Sequence, residues 1–320
     1  MRRASANLLL LLAGAVWGMG FVAQSTAMAA IGPMLFLGTR FLLATVAVAP
    51  FALRESRRAS KPVDRPLVAG FIVCGSALFV GMAAQQIGLL TTSVTNSGFL
   101  TGLYVVFTPV IAFLSTRRLP HPVIWPAALS CLIGIWLLSG GALVSLRLGD
   151  CLTIFCALVF AVQVTLVGTY AQRSGRPLAL AFAQFAVCAA AGIVCALFLE
   201  PIAWGALKNA APEIAYAGVF SSALAFSLQV IGQRYTTAPQ AAIFLSTEAL
   251  FAAIFGWLVL GETLGTERLA GCLFIFAAII SVEIVPLFSE GRKQRRQLAR
   301  PDGGPLRTGD LSHSHARAEE

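Results

Sequence analysis

The sequence predicts an all-α polytopic membrane protein with ten transmembrane helices, arranged as two inverted five-helix repeats. Three observations predict this fold: the composition, a succession of long apolar segments, and a weak internal repeat. Of the 320 residues, 58% are hydrophobic and 12% are charged, and the mean hydropathy is +0.81. A soluble domain carries about a quarter charged residues. Because so few polar side chains cannot cover a globular surface, lipid must surround most of the chain.

The apolar segments are long enough to cross a bilayer as helices, which takes about 20 residues each. They lack the alternation of apolar and polar residues that is typical of a membrane β-barrel. We therefore predict transmembrane helices at residues 7–30, 33–53, 67–88, 94–115, 123–140, 150–170, 177–199, 213–233, 239–259 and 267–287.

The internal repeat relates residues 91–119 to residues 236–264 at a constant offset of 145. Both copies consist of a polar turn, an apolar run and a polar exit, and Thr101 aligns with Ser246. Weak symmetry between two halves of a hydrophobic chain is typical of duplicated transporter folds. We expect the two five-helix repeats at residues 7–140 and 150–287.

The basic residues predict the orientation of the chain in the membrane. If the N-terminus is cytoplasmic, the inner loops and both ends hold 19 of the 23 Lys and Arg residues, and the outer loops hold three, Arg147, Lys208 and Arg268. This asymmetry predicts that both chain ends are cytoplasmic, in the inner membrane of a bacterium. Because each repeat has an odd number of helices, the second repeat is expected to enter the membrane in the opposite sense.

The two ends of the chain lie outside the predicted repeats. Residues 1–6 are predicted to be a short basic cytoplasmic leader, and residues 288–320 a disordered basic tail near anionic lipid headgroups. The leader and the first apolar segment also resemble a signal peptide. That segment runs past the length of a signal peptide, and cleavage would leave the first repeat one helix short.

Four short motifs resemble those of the drug/metabolite transporter superfamily, in its bacterial EamA-type ten-helix branch. The motifs are AVWG at 15–18, NSGFLTGLYVVFTP at 96–109, and the pair Gly261–Glu262 followed by LAGCLFIFAAI at 269–279. The resemblance covers about residues 7–287.

One position departs from the family pattern, since Arg117 stands where the family often has a glutamate. Members of the family export or import amino acids, drugs, sugars and other metabolites. The resemblance therefore implies a transporter without implying a particular substrate.

Two charged residues lie deep within predicted helices, where an ionisable group is costly and usually faces a transport pathway. Glu248 is interpreted as a proton-coupling carboxylate or an anchor for a substrate amine. The alternative interpretation is that Glu248 is a static partner for Arg40 or for the ends of helices. Arg40 is interpreted as a substrate-binding residue, and its alternative is a side chain that extends to the membrane interface.

Neutral polar residues within the helices extend the candidate site. Hydrocarbon offers their side chains no hydrogen bonds, so each needs a protein partner or a water-filled cavity. Their alternative is hydrogen bonding between helices, at about 1 kcal/mol for each bond. The complete set of candidates for substrate binding is Trp17, Arg40, Gln86, Asn96, Thr101, Tyr104, Gln163, Gln184 and Gln229.

The leading functional hypothesis is a secondary transporter that exports a small metabolite, amino acid or drug by alternating access. Hydrolysis of nucleotides is not indicated, because the GxxxxGK[ST] motif is missing. An intramembrane enzyme is a weaker alternative, since all three histidines (His121, His313 and His315) lie outside the predicted helices and HExxH is missing. A flippase for lipids or lipid-linked headgroups is a further alternative with the same architecture.

The expected partners are a small-molecule substrate and the lipid bilayer, and pairing of two copies into a homodimer stays open. No nucleic acid, cofactor or metal is expected. The seven cysteines form no CxxC pair and lie within or at the ends of apolar runs, which favours buried structural thiols.

Overall fold

The computed structural model describes residues 3–28, 30–59, 62–92, 94–138, 147–260 and 265–298. All regular secondary structure within these ranges is helical. The first half contains α1 (Arg3–Met28), α2 (Pro33–Arg58), α3 (Arg65–Gly88), α4 (Val94–Gly102), α5 (Tyr104–Thr116) and α6 (Ile124–Leu138). The second half contains α7 (Leu148–Ser174), α8 (Pro177–Leu199), α9 (Trp204–Asn209), α10 (Ala211–Tyr216), a π-helical segment (Ala217–Leu224), α11 (Ala225–Gln233), α12 (Ala238–Leu245), α13 (Thr247–Leu260) and α14 (Thr266–Leu298).

Within the described ranges, seven helical stretches are long and apolar enough to cross a membrane, and two of them join consecutive helical elements. Two shorter apolar helices, Ala4–Gly20 and Ile124–Leu138, accompany seven full-length candidates. Among the described residues these seven are Pro33–Arg58, Arg65–Gly88, Ser97–Thr116, Leu148–Ser174, Pro177–Leu199, Ala211–Gln233 and Thr266–Val285. Each of the ten predicted transmembrane segments falls on one helix or on two or three consecutive helical elements, so the predicted polytopic all-α fold is confirmed.

Two predicted single helices are each split into two. The fourth transmembrane segment is interrupted at Leu103 and the ninth at Ser246. At both places a backbone N–H reaches back three residues instead of four, from Val106 to Leu103 and from Ala249 to Ser246. A short 3₁₀ turn therefore interrupts each helix. The repeat aligns Ser246 with Thr101, so the two breaks lie within two residues of equivalent positions.

Helices α2 and α8 form a long antiparallel pair. The backbone N–H groups of Met34 and Leu35, at the start of α2, donate to the carboxylate of Glu200, which follows α8, at 2.7 and 2.8 Å. At the other end, the N–H of Ala179 in the first turn of α8 donates to Glu55 in the last turn of α2, at 2.9 Å. Each helix therefore provides the carboxylate that satisfies the unpaired N–H groups of its partner.

Glycines allow α2 and α8 to approach closely between these ends. A Cβ atom on Gly38 would lie 2.7 Å from the backbone nitrogen of Ile193, and one on Gly192 would lie 2.8 Å from Gly38 Cα. Such contacts are shorter than side chains tolerate, so the backbones meet at this crossing.

Other contacts between the halves are also reciprocal, because the same pair of positions in the two repeats meets twice. Helix α3, the third transmembrane helix of the first half, packs on α7, the first of the second half. Conversely, α1 packs on the π-helical segment and on α11, which belong to the third transmembrane helix of the second half. These helices all belong to one compact unit, Met1–Val282, and residues Glu283–Glu320 form a second unit. Within that second unit α14 continues to Leu298, so the first residues of the expected tail are helical, and residues 299–320 lie outside the described part of the chain.

We predict that Glu200→Ala lowers the free energy of unfolding by about 1–2 kcal/mol, because the first N–H groups of α2 lose their cap. Thermal unfolding of the detergent-solubilised protein measures this loss. The control is Glu267→Ala, which removes an exposed carboxylate from the first turn of α14. Equal melting temperatures for the two variants would contradict a stabilising role for the Glu200 cap.

Candidate functional site

A cavity of about 70 Å³ lies inside the unit Met1–Val282, lined by side chains from both halves. Its walls include Trp17 and Phe160, which pack against both of the hydrophobic clusters that form the core. A cavity of this size holds a few water molecules or a small solute. Seven of the ten residues predicted for substrate binding or proton coupling line it: Trp17, Arg40, Thr101, Tyr104, Gln163, Gln229 and Glu248.

Arg40 extends from α2 into this cavity and is only 2% exposed. Its Nε donates to Ser222 Oγ at 2.9 Å, and Nη1 donates to Gln24 Oε1 at 3.1 Å. A longer contact of 3.5 Å joins Nη2 to Ser221 Oγ. The side chain therefore turns into the protein interior, which does not fit the alternative of extension to the membrane interface.

Two aromatic rings of α2, the helix that carries Arg40, also pack against its guanidinium. Its Cζ lies 5.5 Å from the centroid of the Phe36 ring and 5.2 Å from that of Phe41. A cation over an aromatic face is attracted by the ring quadrupole, and more strongly where water is excluded. These rings and the three neutral oxygens fix the position of the charge without neutralising it.

The π-helical segment explains why two successive serines reach Arg40. Residues in an α-helix point about 100° apart, so α-helical spacing from Phe226 and Gln229 selects Ser222 and not Ser221. The wider turns of Ala217–Leu224 place the hydroxyls of both serines beside the guanidinium. Segments of this kind are frequent at functional sites.

Glu248 lines the same cavity and lies at the start of α13, directly after the break at Ser246. Within the described residues its carboxylate makes no hydrogen bond or salt bridge, and it forms no ion pair with Arg40. The alternative of a static Arg40–Glu248 pair therefore does not fit this structure.

A chain of amides leads from the cavity into the bundle. Gln229 Nε2 lies 3.4 Å from Gln163 Oε1, and Gln163 Nε2 donates to Gln184 Oε1 at 2.9 Å. Gln184 itself does not line the cavity. The structure thus brings Gln184 to the site as a partner that orients Gln163.

Two further candidates, Gln86 and Asn96, are not among the described side chains that line the cavity. Gln86 is fully buried outside the lining, while its neighbour Gln85 lines the cavity and donates to Thr101 Oγ1 at 3.0 Å. The change of one position along the helix rotates the side chain by about 100°. Asn96 belongs to α4, but its side chain lies outside the described part of the structure.

Several polar atoms of the cavity wall have no hydrogen-bond partner among the described residues. They are Tyr104 OH, Gln24 Nε2 and Gln229 Oε1, and all three are buried. A buried unsatisfied polar group costs about 1–3 kcal/mol. The cavity is therefore suited to a polar ligand, or to water that a ligand displaces.

Some lining residues were missed by the sequence-based prediction: Gln24, Gln85, Ser221, Met82, Phe160 and Phe226. Gln24 lies seven residues after Trp17, on the same face of α1, and this spacing could have added it. The apolar residues carried no such signal, because phenylalanine is common throughout the helices and Met82 lies within an ordinary apolar run.

Comparison with known proteins identifies the family of the chain. Residues 4–140 and 147–283 each match the model of the EamA-like transporter family. The chain belongs to the EamA-like transporter family. The predicted membership in the drug/metabolite transporter superfamily is thereby confirmed, and the chain is an integral membrane protein that transports a small-molecule substrate in a lipid bilayer.

Two individual proteins illustrate this family assignment. The chain is similar to an uncharacterized transporter of Archaeoglobus fulgidus, at 30% identity over 292 residues, which are 89% of this chain and 87% of that protein. A solved crystal structure shares the fold with a TM-score of 0.75 at 16% identity, covering 89% of this chain and 98% of the other.

We predict that Gln85→Cys and Gln86→Cys differ in their reaction with a small water-soluble thiol reagent. Gln85→Cys should be labelled because its side chain faces the cavity, and Gln86→Cys should stay unlabelled because its side chain is buried between helices. Mass spectrometry of the labelled protein, with native cysteines replaced by alanine, measures the difference. Equal labelling of both variants would contradict the placement of these two side chains.

Proposed function

We propose that this EamA-like transporter is a secondary transporter that exports a small metabolite, amino acid or drug across the cytoplasmic membrane by alternating access. The observation that carries the proposal is the cavity itself. It lies between the two halves, is lined by polar groups from both, and contains two charged side chains, neither of which pairs with an opposite charge among the residues that the structure describes. Ionisable groups in such surroundings usually belong to a transport pathway.

The proposed architecture consists of inverted five-helix repeats at residues 7–140 and 150–287, with both chain ends cytoplasmic. The antiparallel contact of α2 with α8 supports it, because these are the second helices of the two repeats. The skew of basic residues supports the orientation. In such an architecture, exchange of conformations between the repeats opens a central site first to one side and then to the other.

The proposed binding site is formed by the lining residues Trp17, Arg40, Thr101, Tyr104, Gln163 and Gln229. The cavity volume favours a small polar solute, because sites for drug-sized ligands measure about 300–1,000 Å³. Trp17 contributes a rigid wall, since its Nε1 donates to the Ser221 carbonyl at 2.9 Å and its ring packs edge-on against Phe226.

Glu248 is the proposed proton-coupling residue. Its carboxylate faces the cavity at the break between α12 and α13, with no described group that would hold it permanently in one charge state. When the cavity opens to one side, this carboxylate can exchange a proton with the water there. Movement of that proton with the change of conformation would link the pH gradient to transport.

We predict that Glu248→Gln abolishes transport driven by a pH gradient in proteoliposomes, while substrate exchange at saturating concentration stays measurable. The amide cannot carry the proton, but it occupies the same volume. The control is Glu267→Gln, an exposed carboxylate at the start of α14. If gradient-driven transport by Glu248→Gln equals that of the wild type, Glu248 has no part in coupling.

The direction and substrate are tested by comparing cells with and without the protein for tolerance to amino acids, toxic analogues and drugs. We expect increased tolerance to at least one water-soluble solute, with a lower concentration of that solute inside the cell. Proteoliposomes loaded with the same solute or with a lipid-linked one separate transport from flipping. Movement of the lipid-linked solute alone would contradict the proposal and favour a flippase.

A further inference from the structure

We infer that a narrow water-filled seam between α7 and α11 leads from the cavity to the cytoplasmic end of these helices and supplies protons to the cavity. The seam is formed by Gln163, Gly168, Gln229, Gln233 and Thr236. It carries water and protons and is too narrow for the transported solute. Its role in proton supply rests on the proposed coupling function of Glu248.

Three buried oxygen atoms follow one another at the C-terminal end of α11. Gln229 Oε1, Gln233 Oε1 and Thr236 Oγ1 have no hydrogen-bond partner among the described residues, and the three residues are at most 6% exposed. Gln229 and Gln233 lie four residues apart, on one side of α11, and Thr236 follows shortly after its end. At 1.5 Å per residue, about 10 Å separates the cavity wall at Gln229 from Thr236.

Hydrogen bonds fix which end of each amide is left unpaired. Gln233 Nε2 donates to the Val164 carbonyl at 2.8 Å, and a carbonyl can only accept, so Oε1 is the free end. Gln229 Nε2 faces Gln163 Oε1, because Gln163 uses its own Nε2 to donate to Gln184. The seam therefore presents acceptors. Water donates two hydrogen bonds and satisfies buried oxygens that would otherwise cost about 1–3 kcal/mol each.

Gly168 leaves room for water beside these oxygens. A Cβ atom on Gly168 would lie 3.9 Å from both Gln233 Nε2 and Ala238 Cβ, an ordinary contact distance. At Gly38 and Gly192, by contrast, a Cβ atom would lie less than 3.0 Å from the backbone of the opposite helix. The space of a side chain is thus open at Gly168, on the face of α7 that meets α11.

Gln172 keeps the cytoplasmic end of the seam narrow. Its Nε2 donates to the backbone carbonyls of Gln233 and Thr236, at 3.3 and 3.2 Å. The end of α11 is therefore pinned to the last turns of α7. A passage between two helices held in this way admits water and excludes larger molecules.

Charged groups lie at both ends of the seam. Arg40 and Glu248 line the cavity at its inner end. At the cytoplasmic end, Glu55 of α2 interacts electrostatically with Arg176 and Arg234. Since the carboxylate offsets part of the positive charge of the two arginines, protons can enter past them.

The first experiment measures water in the seam by the reaction of cysteines with Ag⁺, which enters water-filled paths too narrow for larger thiol reagents. Gln229→Cys and Gln233→Cys are made in the full-length chain with native cysteines replaced by alanine. Ag⁺ is added to membrane vesicles from the side that carries the chain ends, and mass spectrometry after denaturation and alkylation counts unreacted thiols. We expect both variants to react. Val230→Cys, on the same helix and fully buried in the hydrophobic core, should not react.

A bulky reagent and a blocking variant locate the path. A methanethiosulfonate with a trimethylammonium group should leave Gln233→Cys unmodified. Gly168→Leu fills the open space and should slow the reaction of Gln229→Cys with Ag⁺ at least about tenfold, the effect of a barrier higher by about 1.4 kcal/mol. Gly168→Ala should have a smaller effect. Thr236→Cys, at the cytoplasmic end, should keep its reactivity in the Gly168→Leu background, which shows that this variant is folded.

The second experiment measures proton supply with dicyclohexylcarbodiimide, which enters through lipid and adds to protonated carboxyl groups. The pH is lowered only on the side of the chain ends. Modification of Glu248 should then increase in the protein with an open seam, and Gly168→Leu should remove the increase. Glu248→Gln verifies the modified site.

Four results would overturn the proposal. They are no reaction of Gln233→Cys with Ag⁺, reaction only from the opposite side, equal modification of Gln233→Cys by the bulky reagent, and modification of Glu248 that ignores the pH on the side of the chain ends. The Ag⁺ results need neither a known solute nor a coupling role for Glu248. If Gln233→Cys is inert while Glu248→Gln loses gradient-driven transport, the seam alone is refuted and the proposed function stands.

Discussion

The absence of water from the hydrocarbon core is the constraint on which this structure depends. Each polar side chain and each interrupted turn of backbone must find its hydrogen bonds within the protein. Arg40 meets this demand with Gln24 and two serines, and the ends of α2 and α8 meet it with the carboxylates of Glu200 and Glu55. Polar chemistry is therefore concentrated in a few places, and the central cavity is one of them.

The irregular backbone is concentrated around the same cavity. Glu248 and Tyr104 follow the two helix breaks, and Ser221 lies in the π-helical segment. Departures from α-helical geometry are tolerated in membrane proteins where they are enclosed by protein or line a polar cavity. In this chain they also aim the side chains, because each break or wide turn changes which residues face inward.

The sequence predicted the large-scale fold because long apolar runs and the distribution of basic residues are direct responses to the bilayer. It also predicted Arg40 and Glu248, since charges within apolar segments are easily recognised. It failed at the scale of a single residue. Gln86 was chosen instead of Gln85, because the side of a helix that faces the cavity depends on how the helix packs against its neighbours, which composition does not encode.

The reciprocal caps on α2 and α8 have a consequence for the energetics of the whole molecule. The two ends of this pair are stabilised by the same kind of interaction, a glutamate on the first N–H groups of the opposing helix. Separating α2 from α8 at either end therefore breaks the same kind of contact, a carboxylate on backbone N–H groups. Differences between the two ends of the pair must then arise from parts of the chain that differ between the halves, such as the π-helical segment.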